Sequence, residues 1–404
     1  MIPRHLEPVL KKAARQYPVV SLTGPRQSGK TTLVRQAFPD HEYVSLENPE
    51  RREFALRDAH GFLRQFGGKV ILDEVQRTPD LFSYIQGVVD ERGQAGQFVL
   101  TGSQNFLLLE RISQTLAGRC ATFHLLPFSR SELAGRPMTD LSRLGRHAPR
   151  RHGPTAAPAP GQTLFETLFT GGYPRIHDRK LDPQDWLRHY TQTYLERDVR
   201  DILNVGDLDS FGRFLRLCAG RSGHLLKLSE LAADAGVSHP TAKRWLSVLQ
   251  ASFLVHLLQP HHRNFNKRLV KTPKLYFLDS GLLCYLLRIR SPDDLRIHAA
   301  RGAVFESWVV SETIKDFVHR GLEADAYFWR DSSGHEIDLV IEQGTELTAI
   351  EVKSGETFAP DFLDGLRYWR SLTGRADAPL ALVYGGDASY MREGAAVLSW
   401  QAWG

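Results

Sequence analysis

Gly24-Pro-Arg-Gln-Ser-Gly-Lys-Thr31 has the spacing G-x-x-x-x-G-K-[ST] and follows the apolar run Tyr17 to Leu22. Two glycines let main-chain amides converge on an anion, and a helix starting just after them offers its positive end. Gly24, Pro25, Arg26, Gln27, Ser28, Gly29, Lys30, Thr31 and Thr32 are therefore expected to bind a nucleoside triphosphate. Lys30 would reach the β- and γ-phosphates and Thr31 would ligate Mg²⁺, so ATP and Mg²⁺ are the expected cofactors. A later apolar run, Val70 to Leu72, ends in Asp73-Glu74. At that position Asp73 would hold Mg²⁺ through water and Glu74 would polarise the attacking water, so hydrolysis is expected as well as binding. A fourth run ends in Thr101-Gly102-Ser103-Gln104, which brings small polar groups to the γ-phosphate if its strand lies between the first and the third. Ser103 or Gln104 would orient the water; the alternative role of this segment is simply a turn. Arg119, in Leu116-Ala-Gly-Arg, could neutralise transition-state charge on a neighbouring subunit's nucleotide, the alternative being an ordinary surface arginine.

A second constellation lies in the last third of the chain: Glu306 in an amphipathic helix expected over 303–317, Asp338 in Glu336-Ile-Asp-Leu-Val-Ile341, and Glu351-Val-Lys353 in a further strand. Strand alternation puts Glu351 and Lys353 on one face. Asp338 and Glu351 could share a Mg²⁺ that stabilises a phosphodiester transition state, with Glu306 completing the shell and Lys353 positioning water. The other reading is a scaffold that binds without cutting.

Between them, Leu228 to Leu249 runs as an apolar helix, a Gly236 turn, a Ser238 cap and Pro240 at a second helix start, the helix-turn-helix order. His239, Thr241, Lys243 and Arg244 would face a nucleic-acid groove while Trp245, Leu246 and Leu249 pack inward. Arg263, Lys267, Arg268, Lys271 and Lys274 follow without an acidic residue among them, as a basic wing that would neutralise phosphates. Joining domains or subunits is the alternative task of this module.

Strand-like runs at 17–22, 43–46, 70–72, 98–100 and 122–125, separated by helix-length segments, predict an α/β parallel sheet with its nucleotide site at a switch point. The 404 residues exceed one hydrophobic core, and two or three domains are expected. Their division is an ATPase core over 1–135, a flexible basic Pro/Ala-rich insertion over 136–163, a helical segment packed on that core over 164–223, a winged helix-turn-helix over 224–295 and a last domain over 296–404. The insertion is either a solvated linker or a nucleic-acid-touching arm. With 51 basic and 46 acidic residues the net charge of +5 does not by itself specify a polyanion partner. Cys120, Cys218 and Cys284 fit neither a disulfide framework nor a zinc cluster, and no run of about 18 apolar residues or signal-peptide core occurs. A cytoplasmic protein with no membrane association is the expectation.

The phosphate loop, Ile71-Leu-Asp-Glu-Val-Gln-Arg77, Leu100-Thr-Gly-Ser103, Leu116-Ala-Gly-Arg119 and Gly171-Gly-Tyr-Pro-Arg175 together resemble the prokaryotic AAA-superfamily ATPases that carry a C-terminal domain of unknown function. The resemblance covers nearly the whole chain. It implies an AAA-like P-loop core, a helical and winged-helix middle and a C-terminal α/β restriction-nuclease-like fold. Glu306, Asp338, Glu351 and Lys353 resemble the PD-(D/E)xK nuclease superfamily, whose junction-resolving relatives suggest branched or recombination-type DNA. The expectation is an oligomeric ATPase that moves or remodels DNA; the alternative is an ATP-gated switch whose C-terminal domains contact proteins.

Overall fold

Val19–Thr23 (β1) is buried at all five positions, as a strand must be when helices cover both faces of its sheet. In the computed structural model, which describes residues 2–102, 114–138, 144, 163–194, 208–262 and 269–404, β1 belongs to a five-stranded sheet. Its other strands are Glu42–Ser45 (β2), Val70–Asp73 (β3), Phe98–Gly102 (β4) and Cys120–His124 (β5), in the order β2-β3-β4-β1-β5, every pair parallel. Alternate side chains feed two cores. Val20, Leu22, Ile71 and Val99 pack with Leu10, Leu33 and Val34 of the helices Glu7–Ala13 and Lys30–Ala37. Val19, Leu72 and Leu100 face the opposite way, onto Phe62, Phe82 and Ile85 of the helices Ala59–Arg64 and Leu81–Arg92.

The chain divides into two compact units. The first is Met1–Phe128 with Ala251–Phe253 and Phe317–Glu323; the second is Ser129–Gln250, Leu254–Asp316 and Ala324–Gly404. In the second unit, Val255–Leu258 (β6) and Lys274–Phe277 (β7) form an antiparallel pair, and Leu225 bridges to Lys274. Ala326–Arg330 (β8), Glu336–Gln343 (β9), Glu346–Lys353 (β10), Leu380–Tyr384 (β11), Tyr390–Arg392 (β12) and Ala395–Ser399 (β13) form a mixed sheet of order β12-β13-β11-β10-β9-β8. β10 pairs parallel with β11 and antiparallel with β9. Trp369 and Leu366 of the helix Asp364–Thr373 close one face of this sheet over Trp329, Ala349 and Leu382.

Helix Pro183–Tyr194 belongs to the second unit, where it packs on helix Ser280–Leu286. Trp186 stacks on Tyr190, whose hydroxyl receives a hydrogen bond from Tyr173 at 3.0 Å. The expected basic insertion lies almost wholly outside the described residues. Arg136, at its start, donates to the Gln401 carbonyl at 3.0 Å. Cys120, Cys218 and Cys284 are free thiols. Among the described residues no helix is long and apolar enough to cross a membrane.

Candidate functional site

The phosphate loop leaves the carboxyl end of β1 and ends at helix Lys30–Ala37, with Gly29 at the helix cap in a left-handed conformation (φ 92°). Gly24 has φ 151°, and a Cβ there would lie 2.2 Å from the carbonyl oxygen of Leu125, so only glycine fits. Gln27 adopts φ 62°, turning the loop's peptide units. Pro25 and Ser28 are buried, Arg26 and Thr31 half-buried, Gln27 and Thr32 exposed. Lys30 arches over the loop and donates to the carbonyls of Gly24 and Pro25 at 2.9 and 2.8 Å. A residue with no motif braces this turn from outside: the buried guanidinium of Arg4 donates to the Ser28 carbonyl at 3.1 Å and to the Leu126 carbonyl at 2.6 Å.

β4 lies between β1 and β3, the arrangement on which the Thr101 segment's role depended. Asp73 is thereby surrounded by hydroxyls. Thr31 Oγ1 and Tyr43 OH donate to its Oδ2 at 3.0 and 2.7 Å, and Thr101 Oγ1 donates to its Oδ1. Burial pushes the Tyr43 phenol far above its ordinary range, with its hydrogen bond to Asp73 adding to the shift, so it remains a donor. Arg35 stacks over the Tyr43 ring at 4.9 Å. Thr31 and Asp73 are hard oxygen donors beside the loop, a set that suits Mg²⁺. Glu74 follows in a left-handed conformation (φ 56°, ψ 42°), unusual for a side chain with a Cβ, and its Oε2 accepts from Gln76 Nε2. Ser103 lies outside the described residues. At the foot of the loop, Thr23 Oγ1 lies 2.6 Å from Nδ1 of His124, whose burial lowers its pKa to about 4.

Arg119 stands apart from this group. Cys120, the next residue, is in register with Val19, so Arg119 sits at the amino end of the sheet, about 13 Å of strand away from the loop. Its guanidinium clasps Asp90 through Nε at 2.5 Å and Nη2 at 2.9 Å.

In the second unit Glu306, Asp338, Glu351 and Lys353 converge, but with partners the motif does not name. Lys274 of β7, 3% exposed, donates to Glu306 Oε1 at 3.0 Å and contacts Glu336; Tyr276 OH also donates to Glu306. Lys353 donates to Glu351 at 2.7 Å and lies 3.8 Å from Asp338, whose Oδ2 accepts from the Val352 amide at 2.9 Å. Burial, then the Asp338 charge, pushes the Glu351 carboxyl well up. Burial also raises Glu306, against the pull of the Lys274 ammonium. For Lys353 burial opposes the charged form, but Asp338 and Glu351 outweigh it and hold the amine above its usual value. No group of three or more His, Cys, Asp or Glu among the described residues is arranged to hold a metal ion. The ammonium groups of Lys274 and Lys353 supply the positive charge that faces Glu306, Glu336 and Glu351 in this cluster.

Lys274 is also a correction to the expected basic wing: it is an interior cation, not a phosphate-facing one. Helices Leu228–Ala235 and His239–Ala251 are joined through Gly236 (φ 72°), and Ser238 Oγ accepts from the Thr241 amide at 3.3 Å. Trp245, Leu246 and Leu249 are buried as expected, while His239, Lys243 and Arg244 are exposed and Thr241 is half-buried. Lys271 is exposed; Arg263, Lys267 and Arg268 lie outside the described residues.

Three families match successive parts of the chain: an AAA domain over residues 16–134, a domain of unknown function (DUF8612) over 161–293 and a domain of unknown function (DUF4143) over 301–403. Uncharacterized protein Rv2008c of Mycobacterium tuberculosis is 30% identical over 384 residues, which cover 94% of this chain and 79% of that protein. Uncharacterized protein Mb2031c of Mycobacterium bovis matches to the same extent. Among solved structures, a Walker-type ATPase of Pyrococcus abyssi is similar at 14% identity with a TM-score of 0.42, over 72% of this chain and 96% of that one.

Proposed function

This chain belongs to the family of the mycobacterial proteins Rv2008c and Mb2031c, and we propose that it hydrolyses ATP in its AAA module and contacts DNA through its second unit. The observation that carries the first half is the Asp73 carboxylate, which takes hydrogen bonds from Thr31, Tyr43 and Thr101 immediately before Glu74. The loop amides and Lys30 bind and orient the triphosphate, and Thr31 and Asp73 would hold a Mg²⁺ ion, which would supply charge neutralisation to the phosphates. Gln76 holds the Glu74 side chain, and Glu74 takes the proton of the attacking water. Arg119, at the far edge of its own sheet, serves this reaction only by reaching a neighbouring protomer's nucleotide, which makes the active form an oligomer.

The second half rests on the surface of helix His239–Ala251, where His239, Lys243 and Arg244 are exposed at its amino-terminal end and the apolar side is buried. An exposed basic amino-terminal end opposite a buried apolar side supports the reading of this helix as the one that meets a groove. Branched DNA is the substrate to try first beside simple duplex.

Fluorescence anisotropy with labelled duplex and branched DNA across a salt series tests this half. Charge reversal at Lys243, Arg244 and Lys271 is expected to weaken binding and to flatten the log-log salt slope by about 0.9 per lost phosphate contact. Unchanged affinity and slope in the folded triple variant would instead support a regulatory switch whose second unit binds protein.

A further inference from the structure

The carboxylate cluster of Glu306, Glu336, Asp338 and Glu351 is largely compensated by side chains of its own unit, and the geometry points to one residue as the key to it. Lys274 comes from β7, Glu306 from helix Arg301–His319 and Glu336 from the start of β9, and the single ammonium binds both carboxylates. Lys353 engages Glu351 and Asp338, while Arg330 donates to the other Glu336 oxygen at 2.8 Å. Three cations thus face four carboxylates, and the most buried of the three, Lys274, occupies the side of the cluster on which Glu306 would otherwise complete a metal shell. A cation-sized charge is already in place. A divalent ion would have to displace a buried ammonium from two carboxylates, leaving that ammonium desolvated and unpaired.

We propose that Lys274 substitutes for a divalent cation, so that this cluster is a metal-independent fastener joining β7, helix Arg301–His319 and β9 rather than a nuclease centre. The second unit is then a non-cutting module whatever it binds. Removing the ammonium, and nothing else, leaves an acidic cluster that a metal can neutralise.

The test uses full-length Asp73→Asn protein, so that uptake at the nucleotide loop is suppressed, with Mn²⁺ followed by electron paramagnetic resonance and by thermal unfolding. With Lys274 intact, Mn²⁺ is expected to produce no saturable uptake and no change in Tm. Adding Lys274→Met should lower Tm by roughly 5–10 °C, because buried carboxylates lose their partner. Mn²⁺ should then bind at least about tenfold more tightly than to the Lys274 protein and restore part of the lost Tm. If Lys274→Met does not fold, the double variant Lys274→Met/Glu306→Gln decides: recovery of the fold supports the fastener, and failure of both contradicts it. Mn²⁺ uptake by the protein with Lys274 intact that disappears on Asp338→Asn would overturn the proposal, as would a folded Lys274→Met protein indifferent to Mn²⁺.

Discussion

Asp73 accepts hydrogen bonds from three hydroxyls, and only one of them, that of Thr31, belongs to the phosphate-loop motif. Tyr43 supplies the second from β2, with Arg35 on its ring, and so fixes which carboxylate oxygen turns toward the loop. Tyr43→Phe is expected to leave nucleotide binding without Mg²⁺ unchanged while lowering Mg²⁺-dependent ATP turnover about tenfold, since groups that orient a metal ligand carry effects of that order. A turnover assay across Mg²⁺ concentrations checks it: excess Mg²⁺ should restore part of the rate, and an equal deficit at every concentration would mean Tyr43 acts elsewhere. Lys30→Ala, by contrast, should abolish nucleotide binding itself, measured with a fluorescent analogue. Thr31 and Asp73 were legible because motif spacing and the end of an apolar strand locate them. Tyr43 and Arg4 were not: Tyr43 meets Asp73 only through the pairing of β2 with β3, and Arg4 reaches a carbonyl 122 positions away.

At the scale of elements, β5 carries a pH-sensitive contact beside the loop. His124 has a folded pKa of about 4, below the ordinary 6.5, because burial disfavours its charged form. Between those values the unfolded chain binds the extra proton and the folded chain does not, so stability falls as pH drops from 6.5 toward 4 and is unaffected by this group above 6.5. His124 should therefore cost the first unit about 2 kcal/mol between pH 7 and 5, read from denaturant midpoints, and His124→Gln should remove that loss. His256 on β6, also lowered to about 4 by burial, acts with the same sign in the second unit. The parallel sheet could be foreseen because its strands, covered on both faces, read as short continuous apolar runs; all five lie within a few residues of the runs that predict them. The basic run from Arg263 to Lys274 could not be sorted into surface and interior cations from sequence. Lys274 looks in sequence like one more basic residue after Lys271, and only the approach of Glu306 and Glu336 from other elements makes it an interior cation.

The whole molecule comprises an AAA module and a second unit in which Glu306, Asp338, Glu351 and Lys353 come together, with Lys274 as a further cation that sequence spacing does not single out. If Arg119 works between protomers, Arg119→Ala protein should bind ATP yet lose most hydrolysis. Mixed with Lys30→Ala protomers it should regain some activity, because some interfaces then pair an intact loop with an intact arginine. No recovery in heteromers shown to form would leave Arg119 as the Asp90 partner seen within one chain. The central claim, that the module hydrolyses ATP through Glu74, is tested most directly by measuring ATP affinity and turnover for Glu74→Gln beside the parent, with and without DNA. The account predicts a parent whose turnover rises with DNA and a variant that binds ATP within about twofold of the parent but turns it over at least about a hundredfold more slowly. A variant that hydrolyses ATP at the parental rate, or a parent that binds ATP and never hydrolyses it, would contradict it.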